Sequence, residues 1–95
     1  MEPRTFVYFL DEIAKATPSA IAAHVAYLRS LDDRGLLVVC GPFRDGGGMV
    51  CLTAASEDDA RTIAEADPFV ALGHRTYRLR ELERATRENG YLLDL

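Results

Sequence analysis

One stretch near the start, Arg4-Thr-Phe-Val-Tyr-Phe-Leu10, constrains the fold more than any other. β-Branched and aromatic residues dominate it, which predicts a strand. Side chains alternate across a strand, so Phe6, Tyr8 and Leu10 share one face while Val7 and Phe9 share the other. Both faces are apolar, and such a strand demands cover on both. Helices of the same chain can cover one face; a second subunit packed sheet to sheet would cover the other.

The rest of the chain supplies those helices. Asp11 to Ala16 reads as a connector, after which Thr17-Pro18 has the form of an N-cap with proline at the first helical position. Ile21, Val25, Leu28 and Leu31 then recur at helical spacing, and Gly35 provides the stop. Leu36 to Cys40 is a continuous apolar run suited to an interior strand. Met49 to Thr53 is its antiparallel partner across the glycine-rich turn Gly41-Pro-Phe-Arg-Asp-Gly-Gly-Gly48. Ser56 followed by Glu57, Asp58 and Asp59 opens a second helix with a cap and early acids that suit the positive end of the helix dipole. Asp67-Pro68 ends it and caps a short turn through Leu72. His74 to Leu82 alternates polar and apolar residues as a half-exposed strand does. The order βαββαβ predicts an α+β, ferredoxin-like fold: an antiparallel four-stranded sheet with helices on one face. The open face makes a homodimer the expected partner arrangement. The chain reads as a single domain over residues 1–95, with a core of about 4–82 and a C-terminal tail over 83–95.

Composition narrows the function. A net charge of −4 and a pI near 5.0 argue against nucleic-acid binding through phosphate neutralisation. No apolar stretch approaches the ~20 residues of a membrane span. Met1-Glu2-Pro3-Arg4 lacks the basic-then-apolar layout of a signal peptide, so the expected setting is the cytoplasm. Cys40 and Cys51 form no CxxC pair, and with only two histidines no zinc set is evident; neither a metal nor a cofactor is expected. A disulfide across the predicted hairpin is conceivable, but a reducing compartment favours two buried thiols. Other uses of this topology lack their residues. The first loop has no CxxC for metal transfer, and the central strands carry no aromatics for stacking RNA bases.

Two residues stand out for chemistry. His24 falls between Leu28 and Leu31 on the helical wheel, on the side turned to the sheet. There it is either a core histidine with one hydrogen bond or a titrating ring held by a carboxylate, which fixes its tautomer and stabilises its charged form. Asp45 sits in the glycine turn, where an aspartate commonly accepts local backbone bonds. A hairpin needs only one or two glycines, however, and Gly46, Gly47 and Gly48 in succession leave backbone open to a ligand. His74 is expected to face solvent without a role.

Taken together, these motifs resemble the YCII-related family of small dimeric α/β-barrel proteins. The resemblance rests on His24 with Tyr27-Leu28, Gly35, Gly41-Pro42, Asp45 with Gly46 to Gly48, and Asp67-Pro68-Phe69 with Gly73, in that order over residues 4–82. It implies subunits pairing through their sheets, as in the muconolactone isomerase type of dimer, and an active site built from His24 and Asp45. One activity in that family is cofactor-independent removal of HCl from a chlorinated hydroxyhydroquinone. The implied function is a lyase or isomerase, dehydrochlorinase-like, acting on a small enolisable or phenolic compound. His24 would move the proton, a histidine's ordinary pKa of ~6.5 suiting either direction. Asp45 would orient the ring, as the aspartate of a hydrolase triad does. Backbone N–H groups of Gly46 to Gly48 would stabilise developing oxyanion charge, and Tyr27, Phe43 and Phe69 would line the pocket. The alternative is a non-enzymatic dimeric module binding a small metabolite, with His24 and Asp45 as a structural or ligand-anchoring pair.

Overall fold

The computed structural model of the chain describes residues 3–93; Met1, Glu2, Asp94 and Leu95, the outer ends of the expected domain and tail, lie outside the described residues. Strand β1 (Arg4–Glu12) leads into helix α1 (Pro18–Asp33), followed by the hairpin β2 (Leu37–Pro42) and β3 (Gly48–Ala54). Helix α2 (Glu57–Ala66), a single-turn helix α3 (Pro68–Ala71) and strand β4 (Arg75–Leu82) complete the domain. The strands form one four-stranded sheet in the order β2-β3-β1-β4, with every neighbouring pair antiparallel. This is the βαββαβ arrangement expected.

Local chemistry accounts for the boundaries. The Thr17 side chain accepts the Ala20 N–H at 3.1 Å, and Pro18 occupies the first turn of α1, where its missing N–H costs nothing. Gly35 leaves the helix at φ 71°, a backbone conformation glycine adopts without strain. Ser56 caps α2 through the Asp59 N–H at 3.1 Å. Strand β1 runs two residues beyond Leu10 because Asp11 and Glu12 pair with Thr76 and Arg75 of β4.

Phe6, Tyr8 and Leu10 of β1 join Val50, Leu52 and Ala54 of β3 and Ala60 and Ala64 of α2 in one buried cluster. Each large side chain buried there contributes about 1.5–3 kcal/mol. The apolar stripe expected on α1 is only partly inward. Leu31 is buried, whereas Ile21 and Val25 are about half exposed because they border a cavity instead of packing on the sheet.

On the opposite face, Val7 and Cys51 are buried with the chain's own long side chains around them. Arg78 lies 5.3 Å over the Phe9 ring while pairing with Asp11, and Arg84 donates to the Thr5 hydroxyl at 3.0 Å. Farther out on that face, Val39 and Leu82 are 56% and 48% exposed. The two cysteines are free. Cys40 stands opposite Val50 and Val39 stands opposite Cys51, so alternation sends the two thiols to opposite faces of the sheet. Burial pushes both thiols' pKa upward.

Candidate functional site

A cavity of about 420 Å³ opens between α1, the end of β1 and the β2–β3 turn. Its walls are mostly apolar: Leu10 from β1, Ile21, Val25 and Leu28 from α1, and Val50 from β3. His24 and Phe69 line it too, with Glu12 and Arg75 as its carboxylate and its guanidinium.

The His24 ring is held on two sides. Its Nδ1 lies 2.7 Å from Oδ1 of Asp67, and its plane stacks on Phe69 with centroids 3.9 Å apart and 10° between planes. Asp67 is wholly buried. Its Oδ1 also accepts the Phe69 N–H at 2.9 Å, which caps α3, and its Oδ2 accepts the Tyr8 hydroxyl at 2.8 Å. A carboxylate removed from water needs such donors to offset its lost hydration. With His24 donating from Nδ1, the tautomer is set and Nε2 carries the free lone pair. Burial first, and then the Asp67 charge, push the Tyr8 hydroxyl's pKa far up, so Tyr8 stays a donor at neutral pH.

The carboxylate on the His24 ring is therefore Asp67, not Asp45. Asp45 is solvent-exposed in the turn and does not line the cavity. Asp67 caps α3, which carries it under α1, while Asp45 sits in the hairpin turn, which carries it outward. The usable signal for Asp67 was the Asp-Pro-aromatic step itself, which couples a helix cap to the ring that stacks on His24. Phe43, Gly47, Gly48 and Phe69 line the cavity, whereas Tyr27 and Gly46 do not. Tyr27 turns toward α2 and donates its hydroxyl to the Ile63 carbonyl at 2.7 Å; burial raises its pKa.

The glycines have a packing reason. A Cβ on Gly47, at φ 70°, would come within 2.5 Å of the Leu10 carbonyl oxygen, and one on Gly48 within 2.8 Å of the Gly41 carbonyl oxygen. Their N–H groups are not a free oxyanion cradle either. Gly46 donates to the Phe43 carbonyl at 3.2 Å and Gly47 to Glu12 Oε1 at 3.1 Å. His74 is half buried rather than solvent-facing, with Nδ1 enclosed and without a partner among the described residues.

Among the described residues no cluster of three or more His, Cys, Asp and Glu is placed to hold a metal ion, and no helix is long and apolar enough to cross a membrane. The model of the YCII-related domain matches residues 5–83, and the chain belongs to that family. The uncharacterized protein YjpA of Bacillus subtilis (strain 168) is 31% identical over 78 residues, which is 81% of this chain and 92% of that protein. Among solved structures, the fold resembles that of the 5-chloro-2-hydroxyhydroquinone dehydrochlorinase TftG of Burkholderia phenoliruptrix AC1100, in complex with 2,5-dihydroxybenzoquinone. The TM-score is 0.65 and the identity 23%, over 84% of this chain and 94% of that one.

Proposed function

We propose that this YCII-related chain is a cofactor-independent lyase or isomerase acting on a small enolisable or phenolic compound, with dehydrochlorination as its leading reaction. The observation that carries the reading is the buried His24–Asp67 pair at the wall of a mostly apolar cavity. The fold shared with a dehydrochlorinase supports the reaction class.

His24 Nε2 is the proton-transfer atom. Asp67 positions the ring and stabilises the imidazolium that forms when Nε2 takes a proton, and Tyr8 and the Phe69 N–H hold Asp67 in turn. In an isomerisation, His24 removes a proton from carbon beside a carbonyl and returns it elsewhere on the same molecule. In dehydrochlorination, the substrate is a keto tautomer whose chlorine-bearing carbon is tetrahedral. Loss of a ring or hydroxyl proton to His24 sends the electron pair into the new double bond and chloride departs. One H⁺ and one Cl⁻ leave together, and no outside oxidant or reductant is required. Apolar walls limit water around the reacting atoms and strengthen the ion pair.

The active unit we propose is a homodimer packed sheet to sheet, supported by the exposed Val39 and Leu82 on the face opposite the helices. Two unpaired thiols suit a reducing cytoplasm as its setting.

The test is chloride release from 5-chloro-2-hydroxyhydroquinone, with solvent-deuterium exchange into small enolisable acids read in parallel. Positioned acid–base catalysis is typically worth ~10²–10⁴-fold, so folded His24→Ala should lose at least that much turnover. Turnover equal to the parent protein's would sink the assignment. Ligand binding without turnover in the parent protein would leave the non-enzymatic binding module in its place.

A further inference from the structure

Arg75 is the one arginine or lysine side chain at the cavity wall among the described residues, and its surroundings leave it short of a counter-charge. Only 13% of its side chain is exposed. Nη1 is used by two backbone carbonyls, Ala14 at 3.0 Å and His74 at 2.9 Å, which anchor the guanidinium without neutralising it. The nearest carboxylate is Glu12, whose Oε1 lies 3.9 Å from Nη2, beyond hydrogen-bond distance. Glu12 is 56% exposed, and the same oxygen already accepts the Gly47 N–H at 3.1 Å. A loose pair of this kind is worth little. Nε and Nη2 therefore keep donor capacity beside an apolar cavity, where an unneutralised cation is costly.

Phe69 relates this cation to the proposed proton-transfer centre. Its ring stacks on His24 at 3.9 Å and takes the Arg75 guanidinium carbon at 4.8 Å from its centroid. The two groups are thus no farther apart than those contacts laid end to end, a span that one substituted six-membered ring bridges. A guanidinium fixed by carbonyls and an aromatic face presents its remaining N–H groups in a rigid fork, the geometry that matches an oxyanion.

We propose that Arg75 is the anion-binding residue of this site, and that the ligand is a small ring compound carrying an ionised oxygen in addition to the hydrogen that His24 moves. This inference rests on the reading of the cavity as a substrate site. The ionised oxygen, whether carboxylate or acidic enolate, docks on Nε and Nη2 and takes over from Glu12 as the counter-charge. Arg75 sets specificity for acidic over neutral ligands, and Glu12 competes with them for the guanidinium.

The test is calorimetric titration of the full chain with two anionic probes and their neutral counterparts. 2,5-Dihydroxybenzoquinone is the enolate probe, set against its dimethyl ether; salicylate is the carboxylate probe, set against salicylamide. The parent protein should prefer an anionic probe to its neutral counterpart, and the probe pair that shows the preference identifies the source of the oxyanion. A lost charge-assisted bond should make Arg75→Met bind that probe about tenfold to a hundredfold more weakly, with the neutral compound unchanged. Glu12→Gln, which keeps an acceptor for Gly47, should bind it several-fold more tightly. Equal weakening of anionic and neutral compounds by Arg75→Met, or no binding of either anionic probe to the parent protein, overturns the inference. If Arg75→Met does not fold, Glu12→Gln decides alone, and no selective gain overturns it. Proton transfer by His24 is read separately as turnover: anion binding that survives in an inactive parent protein removes the catalytic reading and leaves this one standing.

Discussion

Asp67 has no exposure to solvent, so its charge depends on hydrogen bonds from His24, Tyr8 and the Phe69 backbone. Tyr8→Phe keeps the ring and removes one of these donors. An unsatisfied buried acceptor costs about 1–3 kcal/mol, and urea unfolding should show a loss in that range; an unchanged midpoint would mean that the Tyr8 bond carries no net weight. The same hydroxyl predicts a pH dependence. Burial and the Asp67 charge raise the Tyr8 pKa in the folded state, whereas an unfolded tyrosine ionises near ~10. Above that pH the unfolded chain binds fewer protons than the folded one, so stability falls as pH rises. Below it the contribution is fully present. Tyr27, also raised by burial, adds to the slope. Tyr8→Phe should therefore flatten the alkaline loss without abolishing it, as read from unfolding midpoints at increasing pH. At this scale His24 was legible, because helical spacing alone turns it toward the sheet. Its partner was not: Asp45 sits in a turn and Asp67 in a cap, both ordinary places for an aspartate, and nothing local says which one the fold brings beneath α1.

The β2–β3 turn is where one element is shaped by another. Gly47 has a positive φ and also presses against the end of β1, whereas Gly35 has a positive φ with open space around it. Gly35→Ala should cost only the ~1–2 kcal/mol of a left-handed alanine. Gly47→Ala adds a clash with the backbone carbonyl of Leu10, so it should be distinctly more destabilising in matched thermal melts. Equal losses would show that the turn does not rest on β1 in solution. The order and type of the elements were readable from caps, breakers and hydrophobic period. Periodicity marks the apolar face of α1 but does not distinguish a core from a cavity wall, which is where Ile21 and Val25 stand.

At the scale of the molecule, the sheet has one face under helices and another on which Val39 and Leu82 stay exposed. If a second copy covers that face, light scattering should give about twice the 10.5 kDa of one chain. Val39→Asp places a charge on the exposed apolar part of such an interface and should shift the protein to monomer, since an unpaired buried charge costs several kcal/mol. A parent protein that stays monomeric at high concentration would rule the sheet-to-sheet dimer out. The buried Val7 and Cys51 show that the chain's own arginines already cover part of the face, so only its outer parts ask for a partner.

The amino-acid sequence by itself determined the elements, their order and the two-sided apolar strand, because alternation, helical period and capping are local properties of the chain. It also marked His24 by its place on the helix, and the Asp-Pro-Phe step through the family resemblance. Only the tertiary structure decided that these belong together, that Gly47 and Gly48 serve close packing, and that Cys40 and Cys51 point apart. Each of those depends on which backbone lies against which, across separations of up to 43 residues for the His24–Asp67 pair, and a contact at that range is set by sheet register and helix docking.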